Sequence, residues 1–331
     1  MKSQFELVNH LQLKHVKVIV NQIVHRSPHV HSDFEFAMLL KNDGILKTND
    51  ERYEMKPGDV VFINSYESHS YSSLKSEDKV SDDFKDAPIF LIVQVSYHFL
   101  VEYYPQIRNT VFQTCNLKEF FQEGELYLMD QILLGVGRDY FLHEEYYQLR
   151  LITRLSYLLR MCLTNIPHKL ISDEEKEEMK RQFDRTQRII SYIDENYSGK
   201  IRLEDIAKKE GITVTHLSHI FAESSGLNFQ QYVNLKRLEK AILLMQDEHK
   251  TLTNIAFESG FSDPKYMNQL FKKYYNCKPR QYRNLYKKIR QDDESVLSVT
   301  QKEHLYSDAL AYKEIEDYIN SNNIKMGKVK Y

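Results

Sequence analysis

The sequence predicts an α+β chain: an N-terminal barrel of short strands, a pair of helices, and an all-α C-terminal domain built from two helix-turn-helix units. Three observations predict it. Residues 15–98 hold short β-branched and aromatic runs punctuated by Gly, Asn, Asp and Pro. From about Leu117 the apolar spacing changes from two residues to three and four. Between Leu203 and Arg283 an apolar helix face, a glycine and a second apolar helix face follow one another twice.

Taken in order, His15–Val24 alternates, with Val16, Val18 and Val20 on one face. Phe34–Leu40, Ile45–Thr48, Arg52–Met55, Asp59–Asn64 and Ile89–Tyr97 are further strands, separated by Asn42-Asp43-Gly44, Asn49-Asp50 and Pro57-Gly58-Asp59. Many short strands with tight turns suit a barrel or sandwich. Residues 72–87 are polar and read as a long loop. Glu119–Leu134 and Glu144–Leu163 then read as helices. The second has Leu149, Ile152, Leu155, Leu159 and Cys162 near one face. Such a pair can close the barrel or meet its counterpart in a second subunit. Residues 164–181, with Pro167 and an acidic run from Asp173, are the expected linker. Residues 182–290 are helical by pattern. Residues 291–331 form an extension of unassigned role, with one amphipathic helix expected over Tyr306–Ile319.

The chain has 331 residues, enough for two or three domains each with its own core. Its start lacks an apolar run and its longest apolar stretch, Ile89–Val95, is too short to span a bilayer. No signal peptide or membrane contact is therefore expected. The three cysteines are scattered, with no paired spacing, which suits a reducing cytoplasm and argues against a disulfide framework or zinc finger. The net charge of −2 conceals an asymmetry: residues 180–290 carry 21 Lys and Arg against 12 Asp and Glu. That basic half can neutralise phosphates, and the acidic remainder limits indiscriminate sticking.

In the first unit, Leu203, Ile206 and Ala207 form one apolar face, Gly211 permits a left-handed turn, and Thr213 caps a second helix that buries Leu217, Ile220 and Phe221. Val214, Thr215, His216, Ser218, His219 and Ala222 are left outside, and Thr213, Thr215, His216, Ser218 and His219 are the candidate DNA contacts. In the second, Ile255, Ala256 and Phe257 precede Gly260 and Phe261, and Asp263-Pro264 starts a helix that buries Met267, Leu270 and Phe271. Pro264, Lys265, Asn268 and Gln269 face outward. Asn and Gln can pair bidentately with adenine, Lys reaches guanine or phosphate, and Lys272 and Lys273 continue as a phosphate grip. Phe229–Leu244 is an amphipathic helix between the units. Its length would set their separation for adjacent major grooves of double-stranded DNA.

The stretches IAFESGF, YMNQLFKKYY and KPRQYR resemble the C-terminal signature of the AraC/XylS family of bacterial transcription regulators. Residues 203–245 resemble that family's first helix-turn-helix and linker helix. Together the likeness covers about 100 residues, and it implies two recognition helices, Thr213–Glu223 and Pro264–Lys273. Met267 stands where the family usually has Phe, and Asn276 where it has Gly. Ala222 and Glu223 stand where basic residues are usual.

A second constellation lies in the barrel: His29-Val30-His31, Glu35, Pro57-Gly58-Asp59 and His69. It resembles the cupin metal motif, whose donors would suit Fe, Mn, Ni or Zn. It also resembles the cupin-like sensor barrels of AraC-type regulators, where such residues line a small-ligand pocket. His29, His31, Glu35 and His69 are taken as effector contacts, with no metal and no cofactor assigned. The 23 Tyr and 17 Phe suit the apolar faces of a sugar. The resemblance thus implies a non-enzymatic, cytoplasmic, homodimeric activator with an effector-binding and dimerisation domain over residues 1–163. Its partners would be promoter DNA, a carbohydrate-type effector and RNA polymerase. The alternative is a metal-dependent cupin enzyme with an appended DNA-binding domain.

Overall fold

The computed structural model describes residues 14–48, 51–74, 84, 86–225, 227–245, 247, 249–275, 277–289, 296–297 and 301–326. Residues 75–83 of the expected loop, Asn276, the side chain of Glu223 and the start of the extension lie outside them.

The N-terminal half is a near-closed antiparallel barrel. Its strands are β1 (Val16–His29), β2 (Phe34–Lys41), β3 (Gly44–Thr48), β4 (Arg52–Met55), β5 (Val60–Ile63), β6 (His69–Ser73) and β7 (Ile89–Val95), with short β8 (Thr110–Phe112) and β9 (Cys115–Asn116). The order is β4-β3-β6-β1-β7-β2-β5-β9. β1 runs past its expected end. It pairs with β7 over Val16–Gln22 and with β6 from His25 to His29, and its register breaks between Ile23 and His25 where it passes from one partner to the other. β6 falls where no strand was expected, because its serines hide the alternation of buried His69, Tyr71 and Ser73. β2 and β7 are buried on both faces. Inward, Ala37, Leu39, Phe90 and Ile92 join Ile23, Leu46, Met55, Val61, Ile63 and Tyr71. Outward, Phe34, Phe36, Met38, Leu91 and Val93 meet the helices. Burial on both faces explains why these strands read as continuous apolar runs.

The covering helices are α1 (Glu123–Leu142) and α2 (Tyr147–Asn165), joined by a turn with His143 and Tyr146 left-handed. α1 begins later than expected, since Leu117–Glu119 is a separate short turn capped by Asn116. The α2 face also differs from expectation. Leu151, Leu155, Leu158, Leu159 and Cys162 are buried, whereas Leu149 and Ile152 are exposed at 62% and 42%. β10 (His168–Leu170) pairs with β8. The expected linker is then largely helical: α3 (Asp173–Asn196) starts at a Ser172 cap reciprocated by Glu175. Three acidic residues in its first turn complement the positive helix N-terminus.

The remaining helices are α4 (Leu203–Glu210), α5 (Val214–Ser225), α6 (Phe229–Leu244), α7 (Leu252–Glu258), α8 (Pro264–Tyr275) and α9 (Pro279–Ile289). After β11 (Val296–Leu297), the chain returns to the barrel. β12 (Gln301–Leu305) pairs with β1 over Asn21–Arg26, and α10 (Asp308–Ser321) packs on α1 and β2. At Asn21 and Gln22 both β7 and β12 pair with β1, so β12 occupies the opposite edge. Gly137 of α1 makes room for α10: a Cβ there would lie 2.5 Å from Ile315 Cδ1.

Candidate nucleic-acid interface and barrel ligand site

Each helix-turn-helix unit is built around a left-handed glycine. Gly211 has φ +67° and Gly260 φ +92°. In the first unit the Thr213 hydroxyl accepts from the His216 amide at 3.2 Å and starts α5. Leu217 and Phe221 then join Ile189, Ile190, Ile193, Ile206, Ala207 and Tyr232 in one core. In the second, the Asp263 carboxylate accepts from the Lys265 amide at 2.7 Å, and Met267 and Phe271 pack on Ile255, Ala256 and Phe261. Phe257 departs from expectation and is 53% exposed. Two residues beyond Ile255 it lies about 200° round the helix, away from the core. Thr213, Thr215, His216, His219, Lys265, Asn268, Gln269, Lys272 and Lys273 are exposed, and Ser218 and Pro264 partly so. Lys273 Nζ sits 5.0 Å over the Tyr274 ring.

α6 serves both units. Its first half gives Phe229, Tyr232 and Val233 to the first core, and its second half gives Leu238, Ala241 and Ile242 to the second, joined by Met245 at its C-cap. Midway, Arg237 Nε donates to the Tyr197 carbonyl at 2.8 Å and Nη2 to the Gly199 carbonyl at 3.0 Å. The Gly260 turn rests on the same segment, where a Cβ would lie 2.6 Å from Ser198 Cα. The middle helix and the second turn are therefore pinned to one stretch of backbone after α3.

The barrel cluster assembles as its spacing suggests. His29 and His31 close β1 and the bridge beyond it, Glu35 points inward from β2, and His69 opens β6. All four are at most 1% exposed. His31 Nε2 lies 2.9 Å from Glu35 Oε2, and His69 Nε2 lies 3.4 Å from Oε1. The Tyr71 hydroxyl donates to Oε1, and Gln94 Nε2 donates to Oε2 at 2.9 Å. Burial alone would push the Glu35 carboxyl up; the His69 and His31 rings overcome it and hold the group well below the usual carboxylate range. Tyr71 and Gln94 escaped the sequence reading. Gln94 had a signal, as the one polar residue in the apolar run Ile89–Val95.

The cluster touches the helix-turn-helix half directly. Val30, between His29 and His31, is part of the first unit's core with Ile189, Ile190 and Phe221. The Tyr66 amide donates to the His31 carbonyl at 2.8 Å, and the Tyr66 ring packs 5.2 Å from Phe183 of α3. Buried Lys176 lies 4.8 Å over the same ring, and burial lowers its ammonium to about 8.

Comparison with known proteins agrees with this geometry. A family model described as a helix-turn-helix domain matches residues 206–285, and one described as an AraC-like ligand binding domain matches residues 20–79. An uncharacterized HTH-type transcriptional regulator of Bacillus subtilis, YdeC, is 25% identical over 260 residues, 78% of this chain and 86% of its own length. The HTH-type transcriptional activator RhaR of Mannheimia succiniciproducens is 24% identical over 258 residues, 77% of this chain and 86% of its own. The chain is a DNA-binding transcriptional regulator with a ligand-binding barrel. It belongs to the AraC family of helix-turn-helix regulators, which are non-enzymatic, and this sets the enzyme alternative aside. Among the described residues no helix is long and apolar enough to cross a membrane.

Proposed function

We propose that this regulator reads promoter DNA through α5 and α8, and that a small effector in the barrel, a carbohydrate, sets how well it does so. Thr213, Thr215, His216, Ser218 and His219 form the first reading surface. Pro264, Lys265, Asn268, Gln269, Lys272 and Lys273 form the second. Short polar side chains meet base edges and the lysines meet phosphates. His29, His31, Glu35 and His69 form the polar end of the effector site. The observation that carries the coupling is Val30: the strand end bearing both histidines also fills the core under α5. An effector acts only by its differential affinity for arrangements that place α5 differently.

The working form is a cytoplasmic homodimer that activates transcription beside RNA polymerase. Leu149, Ile152 and Tyr157 on α2, with Tyr146 just before it, are each at least 40% exposed and form the surface for the second copy. Residues 1–163 sense and dimerise, residues 182–290 bind DNA, and α3 bridges them. The test is genome-wide mapping of bound sites, followed by gel shifts of those fragments with sugars suggested by the neighbouring genes. The expected outcome is specific binding whose affinity changes with one sugar. No specific binding overturns the DNA assignment, and binding indifferent to every such sugar overturns the effector class.

A further inference from the structure

The two reading heads repeat one plan but not one charge. Leu217 and Phe221 of α5 correspond to Met267 and Phe271 of α8, and Phe229 and Tyr232 of α6 to Pro279 and Tyr282 of α9, each pair 50 residues apart and every member buried. In that register the second head carries five exposed cations: Lys265, Lys272 and Lys273 on α8, and Lys278 and Arg280 around the start of α9. The sequence places Thr215, Ala222, Glu223, Asn228 and Gln230 at the same five positions of the first head. The helices that open the two heads differ likewise. The first turn of α4 holds Glu204 and Asp205, whereas that of α7 holds no acid. The first head has Lys208 and Lys209, but they stand in the last turn of α4, and Lys209 Nζ lies 4.7 Å over the Tyr192 ring.

Each phosphate that a protein neutralises releases counterions and adds about 0.9 to the slope of log affinity against log salt. Five such contacts give the second head a grip of its own. The first head offers hydrogen-bonding groups to base edges but no charge on α5 to hold the backbone. Packing divides the heads in the same way. Val30 of the barrel enters the first core and α5 packs on β1, whereas the second core is drawn from the stretch α6 to α9. We propose that the second head is a standing anchor on the DNA backbone and that the first is the switched reader, seated in its groove only when the barrel sets α5 at the right tilt. This rests on the reading of both as DNA-binding heads and assigns the regulation between them. Once the anchor is seated, the first head is held at high local concentration beside its groove, and a weak contact is then made or lost on geometry alone. A small tilt thus changes the length of DNA that is read without releasing the protein.

The test uses full-length protein on a genomic fragment that it binds, with hydroxyl-radical footprinting and affinity measured at several salt concentrations. Changing Lys272 and Lys273 together to Ala should flatten the salt slope by about two units and weaken protection over both halves of the site. Changing Ser218 and His219 together to Ala should leave the slope unchanged and weaken protection over the first half alone. Ala222→Lys with Glu223→Lys gives the first head the second head's charges. It should steepen the slope by about two units and strengthen protection of the first half. Val30→Ala should alter protection of the first half only. Circular dichroism establishes folding, and the three surface pairs decide if Val30→Ala unfolds. Loss of protection over both halves in the Ser218 and His219 pair, or a second half untouched in the lysine pair, overturns the anchor. A folded Val30→Ala protein with an unchanged footprint, or with both halves lost, overturns the switch. In each of these cases specific binding by the wild type spares the regulator reading. Binding indifferent to every surface pair overturns that reading and the division of labour together.

Discussion

Gly211 and Gly260 read alike in sequence and differ in what surrounds them. Both are left-handed, but a Cβ at Gly211 meets nothing within 4 Å, whereas one at Gly260 meets the backbone of Tyr197 and Ser198. Gly211→Ala should therefore cost only the left-handed penalty, about 1 kcal/mol. Gly260→Ala adds a clash with main chain that cannot turn aside, and should cost roughly 3 kcal/mol. Chemical denaturation of the two variants checks the ranking. On the reading helices, Asn268→Ala should lose about 1–3 kcal/mol at one operator position and relax its base preference. Lys272→Ala should weaken all sequences alike and reduce the slope of affinity against salt by about one unit. Equilibrium binding to a set of single-base operator variants at several salt concentrations distinguishes the two.

Among the elements, α10 has the most specific fit, with Ile315 in the space left by Gly137 and Tyr318 beside Asp130. Burial pushes the Asp130 carboxyl up to about 7; Lys118 opposes this and Asp59 adds to it. Tyr318 is pushed up to about 12 by burial, Asp130 and Asp59. An acid whose folded pKa exceeds its unfolded value of about 3.9 binds more protons when folded across that window. Stability is therefore lost as pH rises from about 4 to 7, and the penalty is complete above 7. Asp130→Asn should raise the melting temperature by a few degrees at pH 8 and leave it unchanged near pH 4. Calorimetry at the two pH values decides.

The elements also show where sequence reasoning succeeds. The helix-turn-helix units were legible because glycine turns, caps and apolar faces are local features that recur at fixed offsets. The cluster of His29, His31, Glu35 and His69 was legible as a set, since alternation along strands places such residues on one face. Tyr71 and Gln94 were not, because their meeting with Glu35 depends on register between distant strands. β6 was hidden by its serines, and the exposed Leu149–Ile152 edge of α2 by the absence of any marker for which apolar row the barrel takes.

At the scale of the whole molecule, the described residues join barrel and DNA-reading half in several places, of which three matter most. α3, 24 residues and about 36 Å long, runs from one to the other. Val30 inserts from the barrel into the first core, and β12 with α10 brings the C-terminal chain back onto β1 and α1. Deleting residues 301–331 should strip the free edge of β1 and uncover apolar surface of α1. A lower melting temperature and concentration-dependent association in sedimentation are the expected results. Retained solubility and an unchanged melting temperature would refute it.

The returning β12 has one more consequence. A segment hung from a single joint can swing through wide angles, as a gate does. One moored at both ends, like a bridge deck on two piers, can only rock. The DNA-reading half is moored by α3 at one end and by β12 at the other. On the proposed reading, an effector in the barrel is expected to act by tilting these helices through a small angle rather than by swinging them apart.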